Sequence, residues 1–274
     1  MKKTLLCLLA ASLMMTGCNS GSPRFSTQPY EGKRCMLLPG AESFGPDGDT
    51  LGVDNSYKIE WPARGFLSPD AEAELLIRCF DDSVSTSFRQ AADRWLANTW
   101  LFEDEGVQTK LVDSLANCEH YNFARKEASI TRDGNLATML ITTETFAAFA
   151  AHGLYSAQYV VMDLDTREIV HLNDLVDTAQ LGEVIIRAIE DLAVNKDVSD
   201  CVFEEYHKAG RVAVPQDFFI DSTRSVINLV FQQYDIAPYA CGIMTVSLPI
   251  FWLSKHIPLT PYCKELFGPG SSID

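Results

Sequence analysis

The chain has 274 residues, of which 22 are basic and 37 acidic, and its formal net charge at pH 7 is −15. Hydrophobic residues make up 47% and charged residues 22%, proportions that exclude a disordered or fibrous chain and supply a sizeable core. A broad nucleic-acid-binding surface needs clustered Lys and Arg, so the acidic excess argues against DNA or RNA as a partner.

The N-terminus has the pattern of a bacterial lipoprotein signal. Two lysines precede an apolar run over residues 5–15, and Thr16-Gly17-Cys18 follows it. The run is about half as long as the ~20 residues that a membrane-spanning helix needs, so residues 1–17 are predicted to be a cleaved signal peptide. The last residues before Cys18 resemble a lipobox, which predicts that Cys18 is acylated and holds the protein to a lipid bilayer.

Acylation of Cys18 predicts a location outside the cytoplasm. We expect a lipid-anchored protein of the bacterial cell envelope, in the outer membrane on its periplasmic or surface face, held stably by several acyl chains. Loss of residues 1–17 removes two lysines and gives a net charge of −17. Small and polar residues dominate positions 19–30, so residues 18–54 are predicted to be the lipidated cysteine and a flexible tether.

Residues 55–150 are predicted to form an N-terminal α+β module. Alternation over residues 57–61 indicates a strand, and Ser68-Pro69-Asp70 is a typical helix start, because Ser caps the first turn and Pro has no N–H to leave unpaired. Later expected elements are a helix over 87–102 and a hairpin of strands 119–130 and 136–146 around Asp133-Gly134.

Residues 151–267 are predicted to form a C-terminal α+β module, followed by a disordered tail over 268–274. Its expected elements are an amphipathic helix over 181–194 and strands over 156–163, 168–172, 217–220, 225–232 and 243–248. The predicted fold class is therefore α+β, with helices packed on one face of a largely antiparallel sheet and two closely associated subdomains.

The sequence contains no motif that would carry a common enzyme mechanism. Gly-x-Ser-x-Gly, His-Glu-x-x-His and Gly-x-x-x-x-Gly-Lys-Ser/Thr are all absent. No two of the five histidines have metal-ligand spacing, and neighbouring acidic residues are typical of a solvated surface. We therefore predict no catalytic residue, no metal and no cofactor.

Six cysteines remain outside the signal peptide and the anchor: Cys35, Cys79, Cys118, Cys201, Cys241 and Cys263. An even number in an exported protein is compatible with three disulfides, and buried thiols without bridges are the other possibility. Cys241 and Cys263 are the first candidate pair, since both lie in the C-terminal section.

Two stretches resemble a family of exported domains that includes the extracytoplasmic part of RsiV, a lysozyme-sensing anti-sigma factor, and the N-terminal region of PdaC, a peptidoglycan deacetylase. The first is Ala151-His152-Gly153-Leu154-Tyr155, continued through Gln158 to Val176. The second is Tyr234-Asp235-Ile236-Ala237-Pro238-Tyr239-Ala240-Cys241-Gly242. The resemblance covers residues 55–255.

The resemblance implies a sensing or binding portion without a catalytic domain. The expected function is that of a non-catalytic envelope lipoprotein that binds a protein, such as a cationic lysozyme-like enzyme, or a peptidoglycan-type glycan. Two alternatives stay open, a cell-wall glycan hydrolase with an acidic pair and a structural subunit of an envelope complex. The residues proposed for ligand binding or fold maintenance are His152, Gly153, Tyr155, Tyr234, Pro238, Tyr239 and Gly242.

Overall fold

The structure is a computed structural model that describes residues 24–38, 51–98, 109–115, 118, 120–148 and 150–268. The predicted signal peptide, Cys18 and most of the predicted tail lie outside the described residues. None of the helices in these ranges has the length and apolar character needed to cross a membrane.

A seven-stranded sheet forms the centre of the fold. All neighbouring strands are antiparallel except β2 and β4, which are parallel, and the order across the sheet is β3-β1-β2-β4-β5-β6-β7. The strands are β1 (Thr27–Leu38), β2 (Leu51–Pro62), β3 (Lys110–Val112), β4 (His120–Asp133), β5 (Leu136–Phe146), β6 (Leu154–Asp163) and β7 (Ile169–Val170).

Two helices, α1 (Pro69–Phe80) and α2 (Phe88–Ala97), pack on one face of this sheet and enclose the first core. The predicted start of α1 is confirmed, because the Ser68 hydroxyl accepts a hydrogen bond from the Ala71 N–H at 3.1 Å. Buried apolar side chains from the sheet, among them Met139 and Met162, complete this core.

The second subdomain is a three-stranded antiparallel sheet, ordered β10-β9-β8, with short helices around it. The longest of these helices, α4, buries one apolar side against the sheet. The elements are α3 (Leu172–Leu175), α4 (Leu181–Asp191), α5 (Lys196–Ser199), α6 (Glu204–Ala209), β8 (Asp217–Asp221), β9 (Val226–Phe231), β10 (Met244–Pro249), α7 (Ile250–Leu253) and α8 (Pro261–Leu266).

Strand β6 belongs to both subdomains. Side chains alternate between the two faces of a strand, so Val160 and Met162 enter the first core, whereas Val161 enters the second. The expected boundary near residue 150 lies between β5 and β6, which pair along their length. The α+β prediction with two associated subdomains is confirmed, and strand β6 of the seven-stranded sheet contributes side chains to both cores.

The predicted tether is wrong for residues 27–38, which form β1. This strand pairs with β2 along its whole length, its Tyr30 ring stacks on Phe88 at 4.3 Å, and Met36 and Leu38 are buried. A polar composition predicts little local order. It does not reveal a strand that is stabilised by pairing with another strand distant in sequence. Strand β2 likewise begins at Leu51, six residues before the predicted strand.

Candidate ligand-binding site

The two stretches that carry the family resemblance meet at the surface. His152 lies in the loop before β6, and Tyr239 begins a 3₁₀ turn (Tyr239–Cys241) that precedes β10. Their rings stack with centroids 4.2 Å apart, and the Tyr239 hydroxyl donates a hydrogen bond to the Gly153 carbonyl oxygen at 3.0 Å. Folding therefore assembles His152, Gly153 and Tyr239 into one surface feature.

Tyr234 extends this feature into solvent. Its ring lies 5.7 Å from that of Tyr239, and 57% of the residue is exposed. Tyr234 has a φ of 72°, in the left-handed region that is uncommon for a non-glycine residue and is found disproportionately at functional sites. We call His152, Tyr234 and Tyr239 the ring cluster.

A hydrogen-bonded turn holds Tyr234 in this conformation. The Gln232 N–H donates to the Asp235 carboxylate at 2.7 Å, and the Asp235 N–H donates to the Gln232 carbonyl at 3.1 Å. The Tyr206 hydroxyl, from α6, donates to the Asp235 carbonyl at 3.0 Å. The exposed ring of Tyr234 is therefore presented by a turn that is fixed on both sides.

Pro238 and Gly242 shape the segment that carries Tyr239. Ile236 and Ala237 are buried in the second core, so they fix the chain just before Pro238. The Cys241 N–H then donates to the Pro238 carbonyl at 3.0 Å, closing the 3₁₀ turn. Gly242 ends it with φ 70° and ψ −155°, a conformation that is essentially restricted to glycine.

Gly242→Ala is expected to lower the free energy of unfolding by about 1–3 kcal/mol, because alanine has a Cβ that disfavours this backbone conformation. Urea unfolding of the variant checks it. The matched control is Ala240→Ser in the same exposed turn, for which we expect a change within about 0.5 kcal/mol. Equal stability of Gly242→Ala and the wild type would contradict the conformational role of Gly242.

Gly153 and Tyr155 have different places around the site. A Cβ on Gly153 would lie 2.9 Å from the Thr145 carbonyl oxygen, so the close approach of the loop to β5 requires glycine. Tyr155 lines a groove of about 430 Å³ on the open face of the large sheet, opposite α1 and α2. Leu140 and Glu127 also line this groove.

A buried polar network connects the strands below the site and joins the two subdomains. The Gln232 side chain accepts from the Ala157 N–H at 3.1 Å and donates to the Ala157 carbonyl at 2.7 Å. The Asp217 carboxylate accepts from Arg78 at 2.5 Å and from the Tyr159 N–H at 3.1 Å. Burial raises the pKa of Asp217, and the neighbouring Arg78 partly opposes that rise.

Sequence reasoning missed Arg78 and Asp217. They lie 139 residues apart, on α1 and β8, and neither belongs to a recognisable motif. An arginine in the last turn of a helix is a common and favourable placement in itself. No local signal in the sequence distinguishes this buried arginine from an exposed one.

None of the six described cysteines is bridged in the structure. Cys79 and Cys263 are buried, and burial raises the pKa of the Cys79 thiol to about 12 and that of the Cys263 thiol to about 11. The Cys241 thiol raises the pKa of the Cys201 thiol. The Cys241–Cys263 disulfide stays a prediction.

The fold is similar to that of a crystal structure described as a member of the DUF3298 family, from Bacteroides fragilis NCTC 9343. The two chains are 15% identical, with a TM-score of 0.59 over 89% of this chain and 97% of the other. A DUF3298 family protein from Pseudomonas aeruginosa PAO1, also 15% identical, gives a TM-score of 0.49 over 88% and 97% of the respective chains. At this identity the likeness concerns the fold alone.

A comparison with curated proteins finds no match. One family model matches the second subdomain. The matched segment includes the turn that carries Tyr234 and Tyr239, whereas His152 and Gly153 precede it. Residues 173–250 of the chain match the family described as "Protein of unknown function (DUF3298)".

Proposed function

We propose that this chain is a non-catalytic binding protein of the bacterial cell envelope, anchored through acylated Cys18, and that its ligand contacts the ring cluster. One observation carries the proposal: the loop before β6 and the turn before β10, distant in sequence, converge on three rings at the surface. The resemblance of the same two stretches to the RsiV and PdaC domains supports it.

The ring cluster has the chemistry of a recognition surface. Aromatic side chains supply a large contact area with few rotatable bonds, and tyrosine is enriched among the residues that dominate binding energy. The stack on Tyr239 and its bond to the Gly153 carbonyl hold two of the rings in place before a ligand arrives. A surface ordered in advance loses less conformational entropy on binding.

A cationic protein is the ligand class that the charge favours. The chain carries a net charge of −15, which attracts a basic partner and raises its association rate at low ionic strength. The faces of tyrosine rings also attract Lys and Arg side chains, and the exposed carboxylate-bearing residue Asp235 lies next to Tyr234. A lysozyme-like enzyme has this basic character, and a peptidoglycan-type glycan is the other ligand to be tested.

Isothermal titration calorimetry of the mature chain, made acyl-free by Cys18→Ser, tests the proposal against a basic lysozyme and against muropeptides. Tyr234→Ala is expected to weaken binding at least about 10-fold, because it removes an exposed aromatic ring of the cluster. Binding of a basic protein is further expected to weaken as salt rises from 50 to 200 mM.

Phe251→Ala is the matched control, since Phe251 is an aromatic residue that is 74% exposed on α7. It is expected to leave the affinity unchanged. If neither ligand binds at low salt, or if Phe251→Ala and Tyr234→Ala weaken binding equally, the ring cluster is not the binding surface.

The hydrolase alternative requires two carboxylates that converge on a glycosidic bond. Glu60 and Glu127 both line the groove beside Tyr155. However, a Glu60 carboxylate oxygen already accepts a hydrogen bond from the Ile130 N–H at 2.9 Å. The Glu60 side chain therefore has a structural role in the sheet. Release of reducing ends from purified peptidoglycan that is abolished by Glu127→Gln would favour the hydrolase.

A further inference from the structure

A cavity of about 350 Å³ lies where α1 meets the second subdomain. Its walls come from α1, from β6 and β7, from the start of α3, and from residues 214–216 before β8. Among the described residues that line it, none belongs to the ring cluster. Ligand cavities are common at junctions between structural units and begin at about 300 Å³, so this cavity has the size for a small molecule.

Two opposite charges of α1 stand beside this cavity. Glu74 and Arg78 are four residues apart on the helix, and both line the cavity. Acidic and basic residues at this spacing are neighbours that commonly pair with each other. Here Arg78 pairs with Asp217 of β8 instead, and a Glu74 carboxylate oxygen lies 3.3 Å from the His171 ring. Partners on other elements therefore hold both charges at the wall of one cavity.

Both side chains keep hydrogen-bonding capacity for a ligand. The hydrogen bonds of Arg78, to the Asp217 carboxylate and to the Tyr159 carbonyl oxygen, come from the same terminal nitrogen. A guanidinium group has five N–H donors, and within the described part of the chain the Arg78 Nε has no partner. The contact with His171 uses one of the two carboxylate oxygens of Glu74, whose side chain is 33% exposed.

We propose that the cavity binds a small zwitterion with an apolar body, either a free amino acid or a short peptide. The ammonium group of the ligand contacts Glu74, and its carboxylate contacts Arg78. Its apolar part lies against Val161, Val170 and Phe218, which are buried side chains of the second core that also line the cavity. This inference goes beyond the function proposed for the ring cluster and holds whichever ligand binds there.

The charges at the cavity favour a zwitterion over a simple anion or cation. Asp217 already balances the charge of Arg78, so a ligand that carried only a carboxylate would add a negative charge without compensation. A ligand that carried only an ammonium group would leave the remaining donors of Arg78 without a partner. Charged and polar groups removed from water need such partners, and a zwitterion supplies both.

Isothermal titration calorimetry of the mature chain, made acyl-free by Cys18→Ser, tests the proposal with L-leucine and with L-alanyl-L-alanine. We expect saturable heat with at least one of them, and the tighter ligand identifies the source of the zwitterion. Acetylation of its amino group and amidation of its carboxyl group are each expected to weaken binding at least about 10-fold, because each removes one charge-assisted contact.

Glu74→Gln is expected to weaken binding of the same ligand at least about 10-fold. Glu72→Gln is the matched control, because it makes the same charge change on α1 at a residue that does not line the cavity, and it should leave the affinity unchanged. Val214→Trp, at a half-buried position of the cavity wall, should abolish binding. Tyr234→Ala should have no effect, which separates this site from the ring cluster.

Three results would overturn the proposal. The first is the absence of saturable heat with both ligands. The second is equal affinity for the tighter ligand and for its acetylated or amidated form, which would show that the charged groups make no contact. The third is equal weakening by Glu72→Gln and Glu74→Gln, which would assign the effect to the charge of α1 rather than to the cavity.

Discussion

Arg78→Met is expected to lower the free energy of unfolding by about 3–5 kcal/mol. Arg78 and Asp217 form an ion pair whose side chains are only 11% and 13% exposed. Removal of the arginine leaves the Asp217 carboxylate buried without its cation, and an uncompensated buried charge is among the most destabilising changes that a single substitution produces. Urea unfolding at pH 7 measures the loss.

The free-energy cost of the buried Asp217 carboxylate also predicts how the stability of the Arg78→Met variant depends on pH. Burial raises the pKa of Asp217 in the folded protein above its usual value even with Arg78 beside it. A carboxyl group with a raised folded pKa favours folding below its unfolded pKa, and this contribution is lost as pH rises through the folded pKa. The stability deficit of Arg78→Met should therefore shrink as the pH is lowered from 7, because Asp217 takes up a proton more readily in the folded variant than in the unfolded chain.

The double variant Arg78→Met/Asp217→Asn measures the interaction between the two residues separately from the effect of each single substitution. Because asparagine keeps an acceptor for the Tyr159 N–H and carries no charge, the double variant should be less destabilised than the sum of the single variants by about 2 kcal/mol or more. Arg94→Met is the matched control: its ion pair with Asp82 is exposed on the arginine side, and its loss should cost less than about 1 kcal/mol. Similar losses for Arg78→Met and Arg94→Met would contradict a buried ion pair between the subdomains.

The sequence predicts those elements whose signals are local. The start of α1 needs only Ser68 and Pro69 for its cap, and the hairpin of β4 and β5 needs the Asp133-Gly134 turn, where Gly134 has a φ of 59°. Strand β1 has no comparable signal. Its Gly32 lies beneath the Tyr57 ring, where a Cβ would come within 2.5 Å of a ring carbon, and this packing exists only after β2 has paired with it.

The candidate site likewise has parts that the sequence indicates and parts that only the folded structure reveals. The family resemblance indicates the two stretches that supply the ring cluster, but residue order does not reveal that the Tyr239 hydroxyl donates to the Gly153 carbonyl. Likewise, closeness in sequence favours Cys241 and Cys263 as a pair, whereas none of the six described cysteines is bridged in the structure. Contacts between segments that are distant in sequence depend on the packed core beneath them. The residues next to each contacting side chain therefore contain no signal that predicts the contact.

A further prediction concerns Asn195, which is fully buried between α4 and β10. Its amide N–H₂ donates to the carbonyls of Ala188 at 2.9 Å and Ser247 at 3.1 Å, and its oxygen accepts from the Ser247 N–H at 2.9 Å. One side chain thus pairs with both backbone groups of Ser247, as a neighbouring strand would, and ties that strand to the end of the helix. Gln232 holds Ala157 of β6 in the same manner.

Asn195→Ala is expected to lower the free energy of unfolding by about 3 kcal/mol, because it leaves buried backbone donors and acceptors without partners and water cannot easily replace the amide. Urea unfolding provides the measurement, and Asn173→Ala, at an exposed position of α3, is the control that should stay within about 0.5 kcal/mol of the wild type. If both variants unfold at the same urea concentration, the Asn195 amide does not hold α4 to β10, and the stability of the second subdomain must then rest on its apolar core alone.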